Sequence, residues 1–284
     1  VLLQSGGNRR PFFCVHAAGG NVLEYHALAQ LLGADQPFYG FQALGLDGSQ
    51  PPHTKIKEMA AHYIREMREV QPEGPYLIGG RSSGGTVAFE MACQLTAQGE
   101  QVDLLALLDA YPAGYFKLLP GSGSFRQRAV RFARKIQTHR QNLQQLRGHE
   151  KLSYLTAKLK FAPAKTKHKI YRRAFKLYQR IGRRLPAVLR NIEELNFAAV
   201  KDYMPQVYPG RATLFLASDD RTAAFDVEEG WQGLVAGELK KIRVSGNHLD
   251  LVKEPHVHTL ADKLRGCLDR AHRQIEVGET GGRQ

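Results

Sequence analysis

From Pro11 to Ala110 the sequence alternates short apolar runs with longer amphipathic stretches, and this alternation is the strongest constraint on the fold. Short runs of consecutive apolar residues are typical of strands buried on both faces, whereas apolar residues spaced three and four apart predict helices. Strands and helices in this order are typical of βαβ units, which build a parallel sheet covered by helices. The predicted strands are residues 12–15, 38–41, 75–78 and 104–108, and the predicted helices are residues 27–32, 55–70 and 82–97.

The alternation stops after Pro112 and returns towards the C-terminus. Further strands are predicted at residues 212–216 and 239–244, a last helix at residues 256–272, and helices in the interval at residues 125–136 and 170–181. We therefore predict one α/β domain over residues 1–284, with a mostly parallel sheet flanked by helices and a helical insertion at residues 116–200.

The positive charge is concentrated in one segment. The chain of 284 residues has 40 Lys or Arg against 27 Asp or Glu, a formal net charge of +13. Residues 116–192, here called the basic segment, contain 21 Lys or Arg and a single acid, Glu150, so the rest of the chain has a net charge of −7. Such a segment is either a solvated helical surface or a surface that attracts an acidic partner. It lacks a recognisable nucleic-acid-binding motif, so no specific nucleic-acid partner is predicted.

The composition excludes several classes of protein. With 43% apolar residues the chain can bury a large core, which a disordered tail cannot do. No run of eighteen apolar residues is present and residues 1–7 lack a basic leader, so we expect a soluble cytoplasmic protein without a membrane span or signal peptide. Three scattered cysteines, Cys14, Cys93 and Cys267, predict neither a disulfide framework nor a zinc site. The chain begins with Val1 rather than Met, so we expect a piece of a longer polypeptide or a processed chain.

The segment Gly80-Arg81-Ser82-Ser83-Gly84 is the most informative motif. It has the pattern Gly-x-Ser-x-Gly and lies directly after a predicted strand and before a predicted helix. A sharp strand-to-helix turn presents the serine oxygen to a base, and a side chain at either glycine would collide across the turn. The pattern also occurs by chance in Gly-rich turns and phosphate loops, but its position between strand and helix predicts that Ser82 is a nucleophile.

A nucleophilic serine needs a base and an acid that orients the base, and in α/β-hydrolases both follow the serine along the chain. Of eleven histidines, His248 is the one placed by topology, because it follows the last predicted strand, at the strand end where sites in open α/β sheets collect. Two positions compete for the acid. Asp109 ends the strand after the nucleophile helix, and Asp219 with Asp220 follows the next strand. The pattern alone leaves this choice open.

An oxyanion at the serine needs backbone N–H donors beside it. The N–H of Ser83 is expected at the N-terminus of the helix that follows the serine. The Gly-rich loop of residues 16–20, after the first strand, is expected to provide a second donor, which we assign to Ala17. His16 has no evident partner in the sequence, so we expect it to shape this loop rather than to ionise in catalysis.

Four motifs in this order resemble the type I thioesterase domains that terminate nonribosomal peptide and polyketide synthases. They are residues 11–16 with Gly19-Gly20, the turn of residues 80–85, Leu107-Leu108-Asp109 followed by Pro112, and Gly246-Asn247-His248 followed by Pro255-His256. The resemblance covers most of the chain and implies the α/β-hydrolase fold, with residues 116–200 as its lid. It also implies that the acid is Asp109, whereas discrete editing thioesterases of the same superfamily place the acid where Asp219 and Asp220 lie. Arg81 departs from the family, which usually has an aromatic residue or His there; its guanidinium could contact a substrate carboxylate or reach solvent.

The resemblance implies a thioesterase that binds no cofactor or metal of its own. An acyl or peptidyl chain would pass from the phosphopantetheine sulfur of a carrier protein to Ser82, with His248 as the base and Asp109 as its partner. Water would then release a linear acid, or a nucleophile within the chain would close a ring. Carrier domains are typically acidic, so the basic segment is a candidate docking surface for the carrier. The alternatives are an editing thioesterase or general esterase of the same fold and, more remotely, a non-catalytic binding domain.

Overall fold

The computed structural model describes residues 1–112, 191–218 and 227–281. Its strands are β1 (Leu2–Gln4), β2 (Phe12–Val15), β3 (Phe38–Phe41), β4 (Tyr76–Arg81), β5 (Val102–Leu108), β6 (Ala212–Ala217) and β7 (Leu239–Val244). They form one seven-stranded sheet in the order β1-β3-β2-β4-β5-β6-β7. Every neighbouring pair is parallel except β1 and β3, which are antiparallel. The prediction of an α/β fold with a mostly parallel sheet is confirmed.

Helices cover both faces of the sheet. They are α1 (His26–Leu31), preceded by the 3₁₀ turn Leu23–Tyr25, α2 (Ile56–Val70), α3 (Ser83–Ala97), α4 (Ile192–Asp202), α5 (Val227–Gln232) and α6 (His256–Gly281). The predicted elements that fall within the described residues are confirmed, with differences at their ends. β4 continues to Arg81 and α6 to Gly281, both beyond the predicted ends. The sequence pattern missed β1, since three residues are too few to establish a strand periodicity.

Alternate residues of the buried strands point to opposite faces of the sheet. In β2, Phe13 and Val15 pack in the core under α2 and α3, whereas Phe12 and Cys14 pack in a second core under α1 and α6. Burial on both faces explains why these strands appear in the sequence as continuous apolar runs. All three cysteines are free thiols, and Cys14 and Cys267 belong to the second core.

One edge of the sheet collects the carboxyl ends of the parallel strands. Residues 16–20 follow β2, Ser82 follows β4, Asp109 follows β5 and His248 follows β7. Because β2, β4 and β5 are neighbours in the sheet, the loops that leave them lie side by side. The loop after β7 reaches the same edge, where Nε2 of His248 lies 3.1 Å from Oγ of Ser82, although 166 positions separate the two residues in the sequence.

The interval between β5 and β6 is where the sequence predicts the insertion. The helices predicted at residues 125–136 and 170–181 lie outside the described residues. Before β6, the side-chain oxygen of Asn191 accepts a hydrogen bond from the N–H of Glu194 at 3.3 Å and caps α4. Within the described ranges, no helix is long and apolar enough to cross a membrane.

Candidate active site

Ser82 occupies a sharp turn between β4 and α3. Its backbone angles, φ 54° and ψ −122°, lie outside the regions that residues with side chains ordinarily adopt. The N–H of Ser82 donates to the carbonyl oxygen of Leu108 at 3.1 Å, and the carbonyl oxygen of Ser82 accepts from the N–H of Gly85 at 3.1 Å. Backbone strain of this kind costs about 1–3 kcal/mol and persists where the surroundings enforce it. The turn has the form expected of a nucleophile elbow.

Close contacts explain the glycines around Ser82. A Cβ atom at Gly80 would lie 2.3 Å from the carbonyl oxygen of Gly84, which is the collision across the turn that the sequence predicts. A Cβ atom at Gly84 would lie 2.3 Å from the carbonyl oxygen of His16, and one at Gly85 would lie 2.3 Å from Cβ of Ala110. The glycines therefore let the turn pack against β2 and β5 as well as fold on itself.

Ser82, His248 and Asp109 form a continuous line of hydrogen bonds. Nδ1 of His248 donates to Oδ2 of Asp109 at 2.6 Å, and Nε2 of His248 lies 3.1 Å from Oγ of Ser82. A carboxylate can only accept hydrogen bonds, so the Nδ1 proton belongs on the Asp109 side. Nε2 then has a free lone pair and accepts the hydroxyl proton of Ser82. This arrangement can raise the nucleophilicity of the serine oxygen.

Asp109 is held in place by two hydrogen bonds to the backbone of β6. Its side chain is buried, and Oδ1 accepts a hydrogen bond from the N–H of Ala217 at 3.1 Å while Oδ2 faces His248. The backbone of Asp109 has φ 46°, and its N–H donates to the carbonyl oxygen of Phe215 at 2.8 Å. The rival acids predicted from the sequence, Asp219 and Asp220, lie outside the described residues.

The loop that carries His248 is held by hydrogen bonds that Asn247 makes with Asp250 and with Leu249. The N–H of Asn247 donates to Oδ1 of Asp250 at 2.6 Å, and Oδ1 of Asn247 accepts from the N–H of Leu249 at 2.9 Å. Gly246 begins the loop with φ 97°, where a Cβ atom would meet Asp250 and His256 at 2.7 Å. These short-range bonds set the shape of the loop.

Arg81 takes neither of the two roles that the sequence left open for it. Its side chain is buried, with 10% of its surface exposed, so it does not reach out to solvent. Nη1 donates to the backbone carbonyl oxygen of His248 at 2.6 Å, and Nη2 forms an ion pair with Oε2 of Glu24 at 2.8 Å. The guanidinium is thus occupied by groups of the protein itself.

His16 shapes the loop of residues 16–20 through two side-chain contacts. Nδ1 donates to the carbonyl oxygen of Ala17 at 2.6 Å, and Nε2 accepts from the hydroxyl of Tyr63 at 2.8 Å. Complete burial lowers the pKa of His16 to about 4, because the charged imidazolium is poorly solvated there. A neutral His16 agrees with the expectation that it holds the loop rather than ionises in catalysis, and Tyr63 is the partner that the sequence did not reveal.

The same loop is tied to α4. The side-chain amide of Asn196 is buried and donates to the carbonyl oxygen of Ala18 at 2.8 Å. Gly20 has φ 83°, and a Cβ atom there would lie 2.7 Å from Cγ2 of Ile192. The loop of residues 16–20 is thus fixed both by α2, through Tyr63, and by α4, through Asn196. Ser83 is the first residue of α3, so its N–H has no acceptor within the helix.

All the site residues described above fall within a segment that matches the model of a known protein family. The family model of thioesterase domains matches residues 10–267. The chain belongs to the thioesterase domain family. It is 33% identical over 251 residues to the dimodular nonribosomal peptide synthase of Bacillus subtilis (strain 168), covering 88% of this chain and 10% of that relative. It is 44% identical over 108 residues to the indigoidine synthase of Dickeya dadantii (strain 3937), covering 38% of this chain and 7% of that relative. The thioesterase domain therefore spans a small part of these relatives.

Solved thioesterase domains share the fold. The NocB thioesterase domain, solved as a covalent complex with a fluorophosphonate nocardicin G analog, superposes with a TM-score of 0.60 at 25% identity, covering 91% of this chain and 95% of that chain. The Vlm2 thioesterase domain, solved with a bound dodecadepsipeptide, superposes with a TM-score of 0.60 at 21% identity, covering 94% and 96% of the two chains. The predicted resemblance and the α/β-hydrolase fold are thereby confirmed.

In the thioesterase domain, Ser82 and His248 open onto a pocket. The other described lining residues are Ser83, Thr86, Tyr111, Phe197 and Val200. Phe197 and Val200 belong to α4. The centre of the Tyr111 ring lies 5.4 Å from the centre of the His248 ring. Phe197 and Val200 thus make part of the described wall beside the serine apolar.

Sequence reasoning missed four residues that shape this site: Glu24, Tyr63, Asn196 and Phe197. Tyr63 lies on the buried face of α2, and its hydroxyl reaches His16. Asn196 is a polar residue that α4 buries, at 4% exposure. A polar residue among the apolar positions of a helix is the signal that could have indicated it, although that signal does not reveal its partner.

Proposed function

We propose that this thioesterase domain releases an acyl or peptidyl chain from the phosphopantetheine thioester of a carrier protein through an acyl-Ser82 intermediate. The observation that carries the proposal is the pair of contacts that join Ser82 to His248 at 3.1 Å and His248 to Asp109 at 2.6 Å. The family membership supports a thioester as the bond that is attacked. The domain would hold no cofactor, since the phosphopantetheine arm arrives as part of the substrate.

The first half-reaction transfers the chain to the serine. Nε2 of His248 takes the hydroxyl proton of Ser82 while Oγ attacks the thioester carbon, and the carboxylate of Asp109 stabilises the imidazolium that forms. The carbon–sulfur bond then breaks, and the imidazolium returns its proton to the departing sulfur. The products are the acyl-serine ester and the free thiol of the carrier arm.

Two backbone N–H groups are proposed to stabilise the negative oxygen of the intermediate. Ser83 contributes the N–H at the start of α3, where the helix dipole also favours negative charge. Ala17 contributes the second from the loop of residues 16–20, whose carbonyl groups at Ala17 and Ala18 are fixed by His16 and Asn196. Donors that are fixed before the reaction need no reorganisation when the charge develops.

The second half-reaction frees the chain. His248 takes a proton from water, or from a hydroxyl or amine within the chain, and that nucleophile attacks the ester carbon. Ser82 leaves as the alcohol after it receives the proton from His248. Water gives a linear acid and an internal nucleophile gives a ring.

The carrier protein and the arrangement of the chain around the pocket form a further part of the proposal. Residues 1–284 would form one domain in the cytoplasm, residues 116–200 would act as its lid, and the basic segment would attract an acidic carrier. Charge reversal of Lys169, Arg172, Arg173 and Arg180 should then lower turnover of a carrier-bound substrate, with no effect on a short soluble thioester. An equal loss on both substrates would contradict carrier steering.

The central experiment labels the serine and then removes it. A fluorophosphonate should modify the wild-type protein at Ser82, and Ser82→Ala should abolish labelling and lower turnover of an acyl thioester by about 10³-fold or more. Mass spectrometry of wild type with a matched thioester should show the acyl group on the peptide that contains Ser82. Unchanged turnover by Ser82→Ala would exclude Ser82 as the nucleophile, and a wild-type protein with neither labelling nor turnover would favour a non-catalytic binding domain.

The choice of acid separates the proposal from an editing thioesterase. Asp109→Asn should lower turnover by about 10³- to 10⁴-fold, because an amide cannot hold the imidazole in the required tautomer. Asp219→Asn is the matched control and should keep near wild-type turnover. Loss only in Asp219→Asn would favour the editing type.

A further inference from the structure

Arg81 connects the segment that carries the nucleophile with the loop that carries the base. It is the residue before Ser82 in the sequence, and its Nη1 donates to the backbone carbonyl oxygen of His248 at 2.6 Å. The same guanidinium reaches Glu24, in the 3₁₀ turn before α1, at 2.8 Å. Both members of the pair are largely shielded, with 10% of the Arg81 side chain and 27% of the Glu24 side chain exposed.

We propose that Arg81 is a positioning residue that sets the separation between Ser82 and His248, with Glu24 fixing the direction of its guanidinium. This inference rests on the proposed function, in which His248 takes the proton of Ser82. Because Arg81 directly precedes Ser82 and binds the backbone of His248, its side chain connects the residue that carries the nucleophile with the residue that carries the base. Proton transfer and attack depend steeply on that spacing, because a misplacement of about 1 Å can cost on the order of 100-fold in rate.

The pattern of hydrogen bonds differs from that of an ion pair built for stability. An Arg and a carboxylate bind most strongly through two parallel bonds. Here Nη1 is directed at His248 instead, and Nε of Arg81 and Oε1 of Glu24 are both buried without a hydrogen-bond partner among the described residues. The Arg81–Glu24 pair therefore lacks the two parallel bonds, and one guanidinium donor binds the backbone carbonyl oxygen of His248 instead.

The bond from Arg81 supplies what the loop itself lacks. The bonds between Asn247 and Asp250 determine the local shape of the loop but do not connect it to β4. Asp109 holds the ring of His248 at Nδ1, and Arg81 holds its backbone at the carbonyl oxygen. Two fixed points define the position of Nε2 relative to Oγ of Ser82 better than one.

The test compares Arg81→Met and Arg81→Lys with wild type, with Arg68→Met as the matched control. Arg68, in the last turn of α2, forms an ion pair with Glu100 at 3.0 Å and is not part of the machinery. The readouts are the second-order rate constant for fluorophosphonate labelling of Ser82, kcat and KM on a short soluble thioester, and Tm. None of these needs a carrier protein. Labelling is repeated for Arg81→Met with methylguanidinium added.

The expected result is slow acylation by a folded protein. Arg81→Met should label on the order of 100-fold more slowly than wild type, the slowing should appear in kcat rather than in KM, and methylguanidinium should recover part of the rate. Arg81→Lys should be intermediate, since one ammonium replaces two separate guanidinium donors. Arg68→Met should label at the wild-type rate. If Arg81→Met does not fold, Arg81→Lys carries the test.

Wild-type labelling by a folded Arg81→Met or Arg81→Lys variant would overturn the positioning role, whatever happens to its Tm. A lower Tm with unchanged labelling would assign Arg81 to stability alone. A wild-type protein that labels at Ser82 neither with the fluorophosphonate nor with the thioester would instead overturn the proposed function, so the two failures are distinguishable.

Discussion

The turn around Ser82 and the loop of residues 16–20 are neighbours, yet they are held in place in opposite ways. The turn depends on missing side chains, because Gly80 and Gly84 each leave no room for a Cβ atom. The loop depends on added side chains, because Tyr63 and Asn196 reach it from 47 and 178 positions away along the chain. Steric exclusion acts abruptly, whereas hydrogen bonds contribute in small increments, so substitutions in the two regions should have different effects.

The largest effect is expected from filling the turn. Gly84→Ala places a methyl group 2.3 Å from the carbonyl oxygen of His16 and 2.6 Å from that of Val15, so the turn or β2 must move. We expect a loss on the order of 4 kcal/mol in the free energy of unfolding, measured by urea denaturation, and no detectable labelling of Ser82.

Gly19→Ala is the matched control in the loop. A Cβ atom at Gly19 meets nothing within 4 Å, and its backbone does not need a glycine. It should unfold at nearly the wild-type urea concentration and label normally. Equal damage from both substitutions would show that the loop is as sterically constrained as the turn.

This contrast between the turn and the loop also explains which site residues could be predicted from the sequence. Residues 80–84 follow one another, and their spacing reports a local constraint, so Ser82 and its elbow could be predicted from five letters and the flanking strand and helix. His248 and Asp109 could be predicted because strand order places their loops at one edge, although the residues alone left Asp109 and Asp219 equal and the family resemblance decided between them. Tyr63 and Asn196 lie in amphipathic helices, where nothing in the spacing shows which polar atom points into a distant loop.

Arg81 was visible in the sequence but could not be interpreted there. Its partners, Glu24 and the carbonyl of His248, are 57 and 167 positions away, and one of them is a backbone atom that any residue would provide. A contact of this kind has no sequence signature. It becomes visible only when the fold has brought β4 and the loop after β7 together.

The second prediction uses pH to loosen the loop and spare the turn. The pKa of His16 is about 4 in the folded protein against an unfolded value of about 6.5. The unfolded chain therefore binds more protons between these values, so the stabilisation from a neutral, buried His16 is complete above pH 6.5 and is lost as the pH falls towards 4. The loss should be on the order of 3 kcal/mol over this range.

Urea unfolding of wild type and His16→Gln from pH 7.5 to pH 4 measures this contribution. Glutamine does not titrate, so the difference in stability between the two proteins should shrink as the pH falls. His272 has a pKa that burial also lowers to about 4, and it should leave a residual slope in both proteins that cancels in the difference. A difference independent of pH would contradict the assignment to His16.

The smallest effect tests whether α4 controls the loop or merely packs beside it. Asn196→Leu removes the donor to the carbonyl oxygen of Ala18 and leaves that oxygen buried, at a cost of about 1–3 kcal/mol in unfolding free energy. Asn191→Ala is the control, because it removes the cap of the same helix at a cost of about 1 kcal/mol and leaves the Asn196 donor in place. If Asn196 holds the peptide groups around Ala17 for the oxyanion, Asn196→Leu should slow labelling of Ser82 about tenfold, equivalent to ~1.4 kcal/mol in the barrier, and Asn191→Ala should not. Equal labelling rates in two variants with similarly weakened helices would mean that the loop keeps its catalytic shape without α4, and that His16 and Tyr63 are sufficient to hold it.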